Sequence, residues 1–440
     1  MKHLVILGAG SGGTMVANRM VRRLPRDWSV TVVDPDGTHL YQPGLLFLPF
    51  GARDEARMTK PRERTLARGV RWVRGAVQRI DREKRLVEVT AASGVGAAAA
   101  TGGGDPGTIP YDLLVIASGA HLRWHETPGL AEGRAGHTNI HDFYTLEGAQ
   151  ALREALDRFH GGRLVLNVVE YPFKCPVAPM EFLFLADEYF TRRGIRDRVQ
   201  LVYATPLDGA FTKPMCNRVL GHLIERKGIR LETEFNACEV DAAARVVKSY
   251  DDREVPYDLL VSIPVHGGAP FVEASGLGNE LDFVPTHPHT LQAKGHDGIF
   301  VVGDATDLPS SKAGSVAHFQ SEVLEENLLR AAAGRGLEEG YDGHTNCFIE
   351  TGHGKAILID FNYDTEPLAG RFPWAGIGPL DLLRESRLNH LGKLAFRSIY
   401  WNALLPGRNL PISTRMSMAG KTREAPALPG GPRGAEDAAA

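Results

Sequence analysis

The first 34 residues limit the fold more than any other stretch. Residues 3–7, HLVIL, are apolar and read as a short buried strand. GAGSGGTMVANRM follows, with Gly8, Gly10 and Gly13 in the G-x-G-x-x-G spacing at the mouth of a helix. Each glycine has a mechanical reason: Gly8 makes the tight turn, Gly10 lacks the Cβ that would hold a pyrophosphate off the backbone, and Gly13 lets helix and strand pack closely. The helix start offers unpaired N–H groups and the positive end of a dipole to phosphates. The next strand, SVTVVD, ends at Asp34, 21 residues after Gly13, where a carboxylate can accept both ribose hydroxyls. A lone glycine pattern is weak. Strand, glycines, helix, strand and acid in this order demand a parallel α/β dinucleotide-binding unit.

A second segment bears on which dinucleotide. Near residue 300 the chain reads GIFVVGDATDLPSSKAGSVAHFQSEVLEENL, a buried strand that ends in Gly303–Asp304 and runs into a helix. This resembles the second FAD fingerprint of the large flavoproteins with two dinucleotide-binding domains. The resemblance implies Asp304 on the ribitol chain and the helix start facing the flavin pyrimidine. Lys312 would donate to the pyrimidine edge; a solvated lysine is the competing reading. YDLLVIASGA (111–120) resembles the intermediate motif of the same superfamily and closes on Gly119. The FAD-binding domain is therefore expected to be discontinuous, residues 1–120 plus 280–340. The Ala/Gly-rich residues 91–107 read as a flexible hairpin tip.

Residues 150–280 repeat the strand–helix grammar in RLVLNVV, APMEFLFLADEYFTRRG, VQLVYAT and YDLLVSIPV. A nicotinamide cofactor would need a glycine-rich first turn there. EYPFKCPVAP fills that turn instead with Tyr171, Pro172, Phe173 and Pro176, and the prolines remove N–H donors. Weak or no NAD(P)H binding is expected, and a thiol, Cys175, occupies the turn.

The chain has four cysteines, too few for a disulfide scaffold, and their spacing matches no zinc pattern, so no metal is expected. A net charge of −3 argues against nucleic acid as a partner. No apolar window is long enough for a transmembrane helix, and a strand is read almost from residue 1, so neither a transmembrane helix nor a signal peptide is expected.

The whole pattern resembles the sulfide:quinone oxidoreductases, from residue 1 to about residue 415. The carriers are the first fingerprint, YQPGLLFLPFG (41–51), KCPVAP (174–179), VVGDAT, TNCFIETGHGKAILIDFNY (345–363) and KLAFRSIYWNALLPGR (393–408). The resemblance implies two Rossmann-like domains in a glutathione-reductase-like arrangement, then a C-terminal amphipathic helical quinone and membrane region (341–418). It implies a redox pair, Cys175 and Cys347, that receives sulfide and passes electrons through FAD to a membrane quinone. Sulfur would leave as polysulfide or persulfide. No cysteine precedes Cys175, so FAD is expected to be non-covalent. Both the helix start and Lys174 are expected to lower the Cys175 pKa. Cys216 and Cys238 read as structural.

Glu181 is read as a proton shuttle or as a surface glutamate. Phe348, Lys393 and Phe396 match quinone-contacting positions. Residues 379–405 are amphipathic: Leu388, Leu391, Ala395 and Ile399 form an apolar stripe beside Arg384, Arg387, Lys393 and Arg397, with Tyr400 and Trp401 at the tip. The expectation is a peripheral protein of a bacterial or archaeal cytoplasmic membrane, with a homo-oligomer left open and residues 419–440 disordered. The rival readings are an NAD(P)H:quinone dehydrogenase, a sulfide dehydrogenase coupled to a cytochrome, and a flavin-binding redox sensor.

Overall fold

The computed structural model describes residues 1–51, 58–91, 107–374, 378–424, 426 and 428. The first sheet begins with β1 (Lys2–Leu7), followed by helix α1 (Ser11–Arg23), β2 (Trp28–Val33), β3 (Val70–Val73) and β4 (Leu113–Ile116). Side chains alternate across it. Leu4 and Ile6 join Val16, Ala17 and Met20 of α1 in one core, while Val5 and Leu7 face a second core with Ile80 and Val87. An apolar run with both faces covered is what a parallel sheet between layers requires. Most of the Ala/Gly-rich insert lies outside the described residues, between the antiparallel arms Leu86–Ala91 and Thr108–Pro110.

The second sheet contains β5 (Ile140–His141), β6 (Gly162–Val168), β7 (Val199–Ala204), β8 (Arg230–Glu232) and β9 (Leu259–Ile263). Helix α2 (Ala178–Arg192) connects β6 to β7, and α3 (Pro214–Arg226) precedes β8. The chain then returns to the first sheet at β10 (Ile299–Val301), followed by α4 (Gly314–Ala332). The sheet orders are β10-β4-β1-β2-β3 and β5-β9-β6-β7-β8, and every pairing in both is parallel. Two such sheets are typical of paired Rossmann-like dinucleotide-binding domains.

A third sheet closes the chain: β11 (Thr345–Gly352), β12 (Lys355–Phe361), β13 (Ala369–Phe372), β14 (Leu380–Leu382) and β15 (Lys421–Thr422), in the order β11-β12-β14-β13-β15. Ile349, Ile357 and Ile359 belong to the same core as Met180, Phe184 and Leu166. That shared core presses β11 onto α2 and brings two distant parts of the sequence together.

The C-terminal region departs from expectation in two places. The amphipathic stretch is not one helix from 379, because Leu380–Leu382 pairs as β14 between β12 and β13. Helix α5 covers Arg387–Ile399, is capped by the Ser386 hydroxyl accepting from the Asn389 N–H, and runs into a π-turn at Tyr400–Leu404. The tail is also not wholly disordered. Lys421–Thr422 pairs with β13, and the Lys421 ammonium lies 2.6 Å from the buried Asp360 carboxylate. Residues 425, 427 and 429–440 lie outside the described set.

Candidate active site

One cavity of about 450 Å³ is lined by Gly8, Gly10, Asp34, Gly119, Gly303, Asp304 and Lys312, and also by Cys175, Glu181, Cys347, Phe348, Lys393 and Phe396. Gly13 acts through packing, since a Cβ there would run into the Gly8 carbonyl. At Gly10 a Cβ would meet nothing within 4 Å, and no side chain caps α1. An uncapped helix start facing open space is what a pyrophosphate needs. Asp34 accepts from the Ala9 N–H at 2.6 Å, the Asp36 N–H at 2.9 Å and Arg62 at 3.1 Å. Burial raises its pKa while Arg62 opposes the rise. Arg62 also donates to the Ala9 carbonyl, so one guanidinium fixes both the acid and the glycine turn. The cradle therefore fits a flavin dinucleotide.

Lys312 is not solvated. Its ammonium is buried, donates to the Asp304 and Thr306 carbonyls at 2.9 and 2.7 Å, and sits 3.8 Å above the Phe283 ring. Burial pulls its pKa down to about 8. Asp304 is shifted the other way by burial, with Lys312 and Lys174 opposing.

Cys175 has a left-handed backbone, φ +55°, a conformation L-residues hold only where the surroundings impose it. Its N–H donates to the Lys312 carbonyl at 2.8 Å, and the preceding Lys174 carbonyl accepts from Tyr144 Oη at 2.8 Å. The turn is thus tied to the loop before α4. Phe173 is buried against Tyr171, Tyr144 and His266. Cys347 comes from β11 and lines the same cavity as Cys175; both thiols are free.

The expected lowering of the Cys175 pKa is reversed. Burial pushes the thiol far up and Glu181 adds to the rise, with Lys393 opposing. Burial likewise lifts Cys347 to about 11, again against Lys393. The sequence neighbour Lys174 points elsewhere, over the Tyr144 ring at 5.9 Å and into the field of Asp304 and Asp142. The cation that matters to the thiols is Lys393.

Glu181 is no surface residue. It is fully buried, and its Oε1 accepts from Lys393 Nζ at 2.6 Å and from the Glu350 N–H at 2.7 Å. Its Oε2 has no protein partner. Lys393 also donates to the Phe348 carbonyl at 2.8 Å. The Phe348 ring lies over Gly392, where a Cβ would come within 2.7 Å of it.

A protein-family profile described as pyridine nucleotide-disulphide oxidoreductase matches residues 2–168. The mouse mitochondrial sulfide:quinone oxidoreductase is 26% identical over 412 residues, 92% of this chain and 86% of the relative. The Dictyostelium discoideum mitochondrial sulfide:quinone oxidoreductase is 27% identical over 411 residues, with the same two coverages of 92% and 86%. The crystal structure of the Aquifex aeolicus sulfide:quinone oxidoreductase superposes with a TM-score of 0.74 at 18% identity, over 93% of this chain and 92% of that one. Over nearly its whole length the chain is a homologue of sulfide:quinone oxidoreductases.

In this homologue several site residues are invisible to motif reading. Arg62 follows no pattern. Gly392 does leave a signal, because a glycine inside a helix costs about 1 kcal/mol against alanine and asks for a reason. Glu350 and His390 are linked at 3.0 Å although 40 residues separate them. Tyr400 is misread by periodicity. It is buried, not at a membrane edge, and its hydroxyl bonds His39 Nε2 and Ser11 Oγ, each at 2.7 Å. Lys393 leaves the basic surface face for the Glu181 pair. Cys216 is a core residue, and Cys238 sits on the strand Ala237–Asp241 with its thiol 3.5 Å from the Lys248 carbonyl. Among the described residues no cluster suits a metal ion, and no helix is long and apolar enough to cross a membrane.

Proposed function

We propose that this enzyme oxidises sulfide with FAD and reduces a membrane quinone, using Cys175 and Cys347 as its redox pair. The observation that carries the reading is the shared cavity. Two thiols from distant segments, a buried carboxylate and the ammonium paired with it line the same space as a dinucleotide cradle.

Gly10, Asp34, Gly119, Gly303, Asp304 and Lys312 would hold FAD non-covalently. When bound, FAD supplies a two-electron acceptor between the thiols and the quinone. In the oxidised enzyme Cys175 and Cys347 form a disulfide. Hydrosulfide attacks one sulfur, the S–S bond breaks, one cysteine leaves as thiolate and the other carries a persulfide. Lys393 stabilises the thiolate in a setting where burial otherwise favours the neutral thiol. Glu181 Oε2, unpartnered and buried, takes the substrate proton. Phe348 and Phe396 line the space for a flat quinone ring, and Lys393 is within reach as a donor.

The membrane reading rests on α5. Leu388, Leu391 and Leu394 are 44%, 58% and 51% exposed, so the apolar side of the helix faces outward. Such a face suits the headgroup boundary.

Anaerobic sulfide should bleach the flavin, and NADH should not. Cys175→Ser and Cys347→Ser should each abolish sulfide-dependent quinone reduction while leaving flavin content unchanged. Bleaching by NADH alone, or full activity in either serine variant, would overturn the reading.

A further inference from the structure

Resting on the proposed function, we propose that the Glu350–His390 pair is the port through which the quinone end of the cavity takes up a proton from solvent. The need follows from stoichiometry. Hydrosulfide and quinone give zero-valent sulfur and quinol with two electrons transferred; hydrosulfide supplies one proton and the second must come from water. Glu181 and Lys393 are the charged groups beside Phe348, but Glu181 is fully buried and Lys393 Nζ is held by the Glu181 carboxylate and the Phe348 carbonyl.

Glu350 lies two residues beyond Phe348 on β11, and its own N–H is bonded to Glu181. Its side chain is 1% exposed, and both carboxylate oxygens lie 3.0 Å from His390 Nδ1. His390 sits one turn before Lys393 on α5, and its side chain is 25% exposed. Exposure falls from the His390 imidazole at 25% to the carboxylates of Glu350 at 1% and Glu181 at 0%, with the Lys393 side chain at 14% beside them. The charged groups that act on Glu350 are Glu181 from α2 and His390 and Lys393 from α5. Burial first, then Glu181, lifts its pKa to about 7 against the pull of Lys393 and His390, so it can both accept and release a proton near neutrality. A carboxylate that only pinned α5 to β11 would have no use for an imidazole that reaches water.

The test follows the two half-reactions of the holoenzyme by stopped flow. In Glu350→Gln, bleaching by sulfide should stay within about twofold of wild type. Re-oxidation of the flavin by a water-soluble quinone should slow about tenfold or more and lose its pH dependence between about pH 6 and 8. Glu350→Asp should restore part of the rate, and added imidazole should rescue His390→Ala. The proposal fails if Glu350→Gln re-oxidises with the wild-type rate and pH profile. It fails equally if the loss is uniform in pH and Glu350→Asp restores nothing, which would mark a purely structural pair. Reducing the flavin with dithionite runs the re-oxidation arm without sulfide. Absence of sulfide bleaching in the wild type would thus overturn the sulfide reading and still leave the port decided.

Discussion

Lys393 Nζ lies 2.6 Å from Glu181 Oε1, and this one contact joins α5 to α2 across 212 residues of sequence. Both side chains are desolvated, so neither charge is comfortable without the other. The same ammonium is the main influence that lowers the pKa of Cys175 and of Cys347. The pair therefore ties two cavity-lining elements together and places a cation near both thiols.

Lys393→Met should leave Glu181 buried and uncompensated. The expected cost is about 3–5 kcal/mol of stability, the range for breaking a buried pair from one side. Sulfide-dependent quinone reduction should fall by about a hundredfold or more, since the thiolate loses its cation and the quinone its donor. Adding Glu181→Gln to Lys393→Met should recover most of the stability and none of the activity. Urea unfolding and steady-state rates read the two effects separately; a single variant as stable as wild type would mean that water reaches the pair.

Gly392 makes room for Phe348. Its replacement by alanine puts a Cβ 2.7 Å from the end of the ring, and the ring must swing toward the cavity. Gly392→Ala should raise the KM for quinone about tenfold, a loss of about 1.4 kcal/mol in ring binding, with flavin bleaching by sulfide unchanged. A change in the sulfide step with an unchanged quinone KM would speak against the assignment of Phe348.

These relationships mark where sequence reading stops. The turn at Gly8, the helix start at Gly10 and Gly13 and the strand end at Asp34 were legible because all three are local. The bulky turn around Cys175 was legible for the same reason. The direction of the thiol pKa values was not. Lys174 is adjacent to Cys175 in the chain, but its ammonium serves Asp304 and Asp142, while the cation that counts lies on a helix more than 200 residues away. Tyr400 was misplaced because periodicity assumes a regular helix, and the π-turn rotates it inward onto His39 and Ser11. Lys421 was assigned to a disordered tail because its composition hides a single buried partner, Asp360.

Glu350 sets a sign for pH dependence. Its folded pKa is raised from 4.5 to about 7. Between those values the folded state binds more protons than the unfolded one, so this group's contribution to stability is full below about pH 4.5 and is lost as pH rises through about 7. Urea midpoints should therefore decline from pH 5 toward pH 7.5 by more in the wild type than in Glu350→Gln, which cannot titrate. Parallel pH profiles for the two proteins would contradict the raised value.

The exposed leucines of α5 give the last test. Leu391 and Leu394 stand three residues apart, both more than half exposed, on a helix whose opposite side carries Asn389, Lys393 and Phe396 toward the protein. If that face lies in the headgroup layer, each leucine contributes about 1.5–3 kcal/mol on burial. Leu391→Asp/Leu394→Asp should then lower co-sedimentation with phospholipid vesicles by about a hundredfold in partition coefficient, and activity with a lipid-embedded quinone should fall with it. Activity with a water-soluble quinone should survive, because neither side chain lines the cavity. Equal vesicle binding by the variant and the wild type would remove α5 as the membrane contact. Loss of activity with both quinones would mean that the leucines support the site itself.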